Sequence, residues 1–239
     1  MMRLETAPDQ ETLAASIATA ALGVLAEVQR DGRVPVFVLT GGSMGIAALA
    51  AIARDATVSA VDWSRVALVW GDERWLPAGD AERNELQADD ALLRALPLDP
   101  ALVHRVDASD AGFSLDAAAE RYASIVDSLG RIDLALFGVG PDGHVASLFP
   151  GRDDLLLDGP GVPSALPVRD SPKPPPERVT LTLDAIRRAD RVWLLAAGAG
   201  KAEAVAHIRV PGPEPLPAAR ISGLVETVLW ADTEALSTS

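Results

Sequence analysis

Histidine, with an ordinary pKa near about 6.5, is the side chain best suited to moving protons at neutral pH, and this chain has three. His144 is the one placed for chemistry. It follows Gly143 at the end of an apolar run, with Asp142 two residues before it. A neighbouring carboxylate can orient the ring and stabilise its protonated form. Asp72, in Gly71-Asp72-Glu73-Arg74, closes another apolar run. His144, Asp72 and Asp142 are therefore the candidate catalytic set, although a loop histidine with purely structural hydrogen bonds fits the same position. His104 falls before a short loop, and His207 lies seven residues into a helix, on its surface. Three scattered histidines without a tight carboxylate cluster do not make a catalytic metal site. The chain has no cysteine, which excludes a thiol nucleophile, Cys-ligated zinc and disulfides.

A second group of residues is suited to anions. Gly41-Gly42-Ser43 opens a helix, where free N–H groups and the helix dipole favour a phosphate; a tight turn needing small residues would read the same way. Arg74 and Lys201 offer a planar fork of donors and a point charge, both suited to a phosphate dianion. Neither nucleotide-binding fingerprint fits. Ahead of Gly200-Lys201, Leu195 stands where the first glycine of a P-loop belongs, and Ala202 replaces its Ser or Thr. Gly41-Gly42-Ser43-Met44-Gly45 lacks the dinucleotide spacing, and Ser43 sits in no nucleophile-elbow motif.

The elements that must position these residues follow one rhythm. Asp9 to Arg30 puts Leu13, Ile17, Ala20, Val24 and Val28 on one helical stripe, ended by Asp31-Gly32. Val34 to Thr40, Arg65 to Trp70, Ile132 to Val139 and Arg191 to Ala197 are near-continuous apolar runs, as strands covered on both faces require. A last strand is expected over Val225 to Trp230. Helices are expected over Met44 to Arg54, between Glu82 and Leu96, after the N-cap Ser114 up to Gly130, and from Gly198 onward. The tryptophans lie in or beside strands and read as core. This alternation predicts an α/β, doubly wound, mostly parallel sheet with helices on both faces. Ligands bind such sheets outside the carboxyl ends of the strands, where Gly41-Gly42-Ser43, Asp72-Glu73-Arg74, Asp142-Gly143-His144 and Gly200-Lys201 converge. Pro150 to Pro176 is different: eight of the chain's 18 prolines fall there. That density forbids helix and predicts an ordered excursion or lid with short strands at most. Its place inside the domain argues against a polyproline ligand for a partner.

Composition bounds the rest. The 239 residues suit one large α/β domain, expected over 1–239, and 49% hydrophobic against 23% charged residues allow a real core. The net charge of −13 argues against general affinity for nucleic acid or an anionic membrane. The acidic start is unlike a signal peptide, and no apolar run is long enough to span a bilayer, so a cytoplasmic location is expected. Only two of the 21 basic residues are lysines, Lys173 and Lys201; an Ala- and Arg-rich, Lys-poor chain suggests a GC-rich bacterial genome.

Read as strings, four segments resemble the 6-phosphogluconolactonase family. They are Leu39-Thr40-Gly41-Gly42-Ser43, Trp70-Gly71-Asp72-Glu73-Arg74 with Pro77, the run from Phe137 through Asp142-Gly143-His144 to Pro150, and Pro174-Pro175 through Arg178 to Thr182. The Gly198 to Lys201 segment matches too, so the likeness runs along essentially the whole chain. The resemblance implies a sugar-phosphate isomerase-like fold shared with glucosamine-6-phosphate deaminase. It also implies hydrolysis of 6-phospho-D-glucono-1,5-lactone to 6-phosphogluconate, in the oxidative pentose phosphate pathway and without a cofactor. By motif position His144 is then the general base, and Asp72 and Asp142 its orienting carboxylates. Arg74 and Lys201 hold the 6-phosphate, Gly41, Gly42 and Ser43 line the sugar, and Arg178 is a further substrate contact. One departure stands out: the family usually has Ser-Asn after the GDERWLP segment, where this chain has Arg83-Asn84. Two rivals are a deaminase on the same fold and a non-catalytic phosphosugar-binding module. The first needs a carboxylate shortly after the Asp-Gly-His motif, absent here until Asp153, and the second an added DNA-binding segment. No protein partner is implied.

Overall fold

In the computed structural model, which describes residues 2–237, the chain forms two sheets; residues 1, 238 and 239 of the expected domain lie outside the described residues. The larger sheet is built from β1 (Arg3–Ala7), β2 (Val36–Leu39), β3 (Ala67–Trp70), β5 (Ile132–Gly138), β8 (Ala189–Ala196) and β9 (Glu226–Asp232), in the order β1-β9-β8-β5-β2-β3. Every pairing in it is parallel. Successive strand residues face opposite sides, which is why β2 is apolar throughout. Val36 and Val38 join one core cluster, and Phe37 and Leu39 the other. On the Phe37 side pack α1 (Gln10–Arg30), α2 (Gly42–Arg54) and α3 (Asn84–Ala91). On the Val38 side pack α4 (Leu115–Leu129), α5 (Leu183–Arg187) and α6 (Ala202–Arg209). Short helices α7 (Pro217–Arg220) and α8 (Thr233–Leu236) close the C-terminal part.

Helix ends obey local chemistry. Asp9 accepts from the Thr12 amide at 2.8 Å to start α1, and Ser114 caps α4, which stops at Gly130 with φ +71. The buried face of α1 differs from the expected stripe. Leu13, Ala14, Ile17, Ala18, Ala21, Leu22, Leu25 and Val28 are buried, while Ala20 and Val24 flank them half-exposed. The helix sits against the sheet through a face rich in small alanines, to which a stripe drawn through larger residues is blind. Taken alone, this 21-residue helix is long and apolar enough to cross a membrane. This corrects the expectation that no such run exists, and the burial of Leu13 to Val28 against the sheet accounts for its hydropathy.

The second sheet is the larger surprise: β4 (Asp72–Arg74), β6 (Ala165–Val168) and β7 (Arg178–Leu181) form an antiparallel three-stranded unit in the order β4-β7-β6. Gly71 is the pivot between sheets. Its amide donates to Leu39 of the parallel sheet and its carbonyl accepts from Leu181 of the antiparallel one. A Cβ there would lie 2.7 Å from the Phe137 ring. The proline-rich excursion is ordered, contains no helix, and contributes β6, as expected.

Candidate active site

The parallel strands end at one rim, and the small antiparallel sheet stands beside it. Thr40, Gly41, Gly42, Ser43, Asp72, Arg74, His144, Lys173, Arg178 and Lys201 line a single cleft there. Every residue expected at the site is in or next to this cleft; Asp142, which is not itself in the lining, reaches it through His144.

His144 is held by a tight turn. Its carbonyl accepts from the Gly140 amide at 2.9 Å, and the Gly140 carbonyl accepts from Gly143, which has φ +77. The turn folds the ring back over Gly140, where Asp142 Oδ1 lies 2.5 Å from His144 Nδ1. A carboxylate at that distance fixes the proton on Nδ1 and leaves Nε2 with its lone pair. Lys173 Nζ stands 3.1 Å from both Asp142 Oδ1 and His144 Nδ1. Both nitrogens are donors in this tautomer, so Lys173 donates to Asp142 and meets the histidine only as a nearby positive charge. Burial favours the neutral imidazole and lowers the His144 pKa; Asp142 opposes this and Lys173 adds to it. Burial alone would raise Asp142, but hydrogen bonds and charge from His144 and Lys173 outweigh it and bring its carboxyl down to about 2. The ring also rests 4.8 Å from that of Phe149.

Asp72 is largely buried at the wall of the cleft and held by neighbours. Ser147 Oγ donates to its Oδ2 at 2.6 Å, and Asn84 Nδ2 to its carbonyl at 2.8 Å and its Oδ1 at 3.2 Å. The Arg178 guanidinium is 3.8 Å away. The close approach of Asn84 explains Gly41, since a Cβ there would sit 2.0 Å from Asn84 Oδ1. Gly41 gives α2 no side-chain cap, so Gly42 and Ser43, both exposed, present free first-turn amides to the cleft. Arg74 projects from β4, its Nη1 donating to the Glu82 carbonyl at 2.6 Å, while its buried Nε has no protein partner. Lys201 is half-buried, and burial, reinforced by Lys173, lowers its pKa.

Arg178 has a second role beside its place in the cleft. It is only 4% exposed; its Nε and Nη2 donate to the carbonyls of Lys173, Pro174 and Pro175 at 2.9 to 3.1 Å, and its Nη1 to Ser147 Oγ at 3.4 Å beside Asp72. It fastens the proline-rich loop and so presents Lys173. In the β4–β7 register it stands directly opposite Arg74. Lys173 was missed by sequence reasoning because it lies among prolines, although a signal existed: both lysines of the chain line this one cleft. Ser147 and Asn84 were missed as Asp72 partners because they lie 75 and 12 residues from it along the chain and only the fold brings them to it.

A His–Asp pair beside helix amides and cations, at the carboxyl rim of a parallel sheet, is what an α/β enzyme acting on an anionic substrate presents. Residues 8–230 match the family described as glucosamine-6-phosphate isomerases/6-phosphogluconolactonase, and the chain belongs to that family. Its relatives point to one branch. It is 44% identical over 245 residues to the 6-phosphogluconolactonase of Streptomyces coelicolor, covering 96% of this chain and 91% of the relative. It is 40% identical over 243 residues to that of Mycobacterium tuberculosis, covering 97% and 96%. The crystal structure of 6-phosphogluconolactonase from Thermotoga maritima shares the fold, with a TM-score of 0.85 at 24% identity over 98% of this chain and all of that one.

Proposed function

We propose that the cleft hydrolyses 6-phospho-D-glucono-1,5-lactone to 6-phosphogluconate with His144 as the general base. The observation that carries this reading is the Asp142–His144 contact of 2.5 Å beside an anion-binding rim. Asp142 anchors Nδ1, so Nε2 faces the substrate with its lone pair. Water attacks the lactone carbonyl carbon, and Nε2 takes the proton that water loses. The tetrahedral intermediate then collapses, the bond from C1 to the ring oxygen breaks, and the imidazolium returns its proton to that oxygen. One water is consumed and one acid/base group serves both halves. Asp142 stabilises the transient imidazolium, and Asp72, clamped by Ser147 and Asn84, stays fixed to orient hydroxyls or water.

The phosphate supplies position. The amides of Gly42 and Ser43, with Arg74 and Lys201, form the anion rim that holds it, and this remote binding aligns the reacting carbon. A lactone is an activated ester, so no serine nucleophile is required. The deaminase alternative gains nothing from the structure: Val145 to Phe149 after His144 are buried and carry no carboxylate.

The test generates the lactone in situ from glucose 6-phosphate and follows its loss at mildly acidic pH, where spontaneous hydrolysis is slow. Wild type should accelerate the loss, and His144→Ala should lower kcat by about 10²–10⁴-fold, the usual worth of a general base. An unchanged kcat in His144→Ala would sink the assignment. No acceleration by folded wild type would sink the lactonase reading itself.

A further inference from the structure

Arg83 stands directly before Asn84, the first residue of α3, and its surroundings give it a definite task. The residue is 0% exposed. Its Nε donates to Glu85 Oε1 at 2.7 Å, Nη1 to the carbonyls of Leu76 at 3.0 Å and Arg74 at 3.3 Å, and Nη2 to Val106 at 2.8 Å. A fully buried guanidinium whose fork takes three main-chain carbonyls is a scaffold for those carbonyls.

The carbonyls belong to the segment that carries Arg74. From Arg74 to Arg83 the chain leaves β4, turns outward and returns to start α3. Arg83 grips the departing end through Arg74 and Leu76. Arg74 in turn reaches the returning end, donating to the carbonyl of Glu82, the residue just before Arg83. The two arginines thus close the same loop from opposite ends. Glu73 completes the frame by accepting from the amides of Arg74, Asn84 and Glu85 at 2.7 to 2.9 Å. Burial pushes the Glu73 carboxyl up to about 7, and the charge of Arg83 opposes that rise.

We propose that Arg83 is a positioning residue for substrate phosphate: its buried fork fixes the Arg74–Glu82 loop and so holds the Arg74 guanidinium facing the anion rim. The inference rests on the reading of Arg74 as a phosphate ligand. A shorter side chain at position 83 would take the donor from the Val106 carbonyl and one of two donors from the Arg74 and Leu76 carbonyls, which keep the Leu76 and Ser109 amides, and the loosened loop would hold the Arg74 side chain less firmly. Arg83 touches neither His144 nor Asp142, so chemistry on bound substrate should be spared.

The experiment is a double-mutant cycle on lactone hydrolysis with Arg83→Gln, Arg74→Ala and the double variant, each checked for folding by circular dichroism and Tm. Arg74→Ala should raise KM by about tenfold or more, as expected for loss of a charge-assisted contact. Arg83→Gln should raise KM several-fold toward that value and leave kcat within about threefold. The double variant should match Arg74→Ala alone, because both act through one contact. Additive KM increases, or a fall in kcat with KM unchanged, would overturn the proposal. If Arg83→Gln does not fold, Arg83→Lys keeps the charge without the fork, and wild-type KM in that variant would equally overturn it. If Arg74→Ala itself leaves KM unchanged, the phosphate reading of Arg74 fails. If Arg74→Ala raises KM and Arg83→Gln does not, the positioning role alone fails.

Discussion

Gly140→Ala is the most discriminating single change at this site. A Cβ on Gly140 would lie 1.9 Å from His144 Nδ1, 2.1 Å from its Cε1 and 2.5 Å from Asp142 Oδ1, so one methyl group strikes both members of the pair. Gly140 does not have a positive φ, so alanine is allowed on the backbone and the side chains must yield. Moving Nδ1 from 1.9 Å out to ordinary contact at 3.4 Å is a retreat of about 1.5 Å, and about 1 Å of misplacement already costs on the order of 10²-fold in rate. The expected kcat is therefore lower by about 10²-fold, equivalent to about 2.7 kcal/mol of transition-state stabilisation. The ring can swing outward toward the open cleft, so Tm should stay within a few degrees of wild type. The assay is lactone loss at saturating substrate, beside a thermal melt of the same preparation. Gly23→Ala is the control, because an added Cβ there meets nothing within 4 Å. A folded Gly140→Ala enzyme with kcat within threefold of wild type would refute the claim that the observed His144 pose is the working one.

The remaining predictions concern protons. Since burial lowers the His144 pKa and the base must be neutral, activity should fall as pH drops through a midpoint below the ordinary imidazole value. A kcat/KM profile corrected for spontaneous hydrolysis, with its acid limb above that value, would contradict the assignment. Lys173→Met removes a charge that opposes the imidazolium, so its acid limb should move to higher pH. Asp142→Asn removes the charge that favours it, so its limb should move lower, with a reduced kcat. Shifts in the same direction for both variants would show that charge at Nδ1 does not set the profile.

The parallel sheet was legible because each of its central strands is an apolar run ending in glycine or a charged residue, and those ends are where the site forms. The antiparallel sheet was not. Asp72-Glu73-Arg74 is three charged residues, and nothing in their hydropathy says strand; they are one because Arg178–Leu181 pairs with them from across the chain. Strand β1 escaped for a related reason: Arg3 and Glu5 alternate with apolar neighbours over only five residues at the sheet edge. Within the site, His144, Asp142, Arg74 and the glycine turn followed from motif and spacing. Arg83 did not, because an arginine is by default a solvated residue and only the fold reveals three carbonyls awaiting it. Lys173 needed the knowledge that Arg178 ties the proline loop back over the cleft.

The facing of Arg74 and Arg178 across β4 and β7 has a thermal consequence. Like charges placed opposite each other on adjacent strands weaken a sheet, and only one of this pair is close to a carboxylate, Asp72 at 3.8 Å from Arg178. The small sheet therefore carries a repulsion, which a dianion held by Arg74, as proposed above, would relieve. Any ligand that binds only the folded chain raises its stability as the logarithm of its concentration once that exceeds Kd, and a dianion at Arg74 would add the relief of this repulsion. On that reading, the melting temperature of the small sheet follows the concentration of phosphosugar around it, and Arg74→Ala uncouples the two.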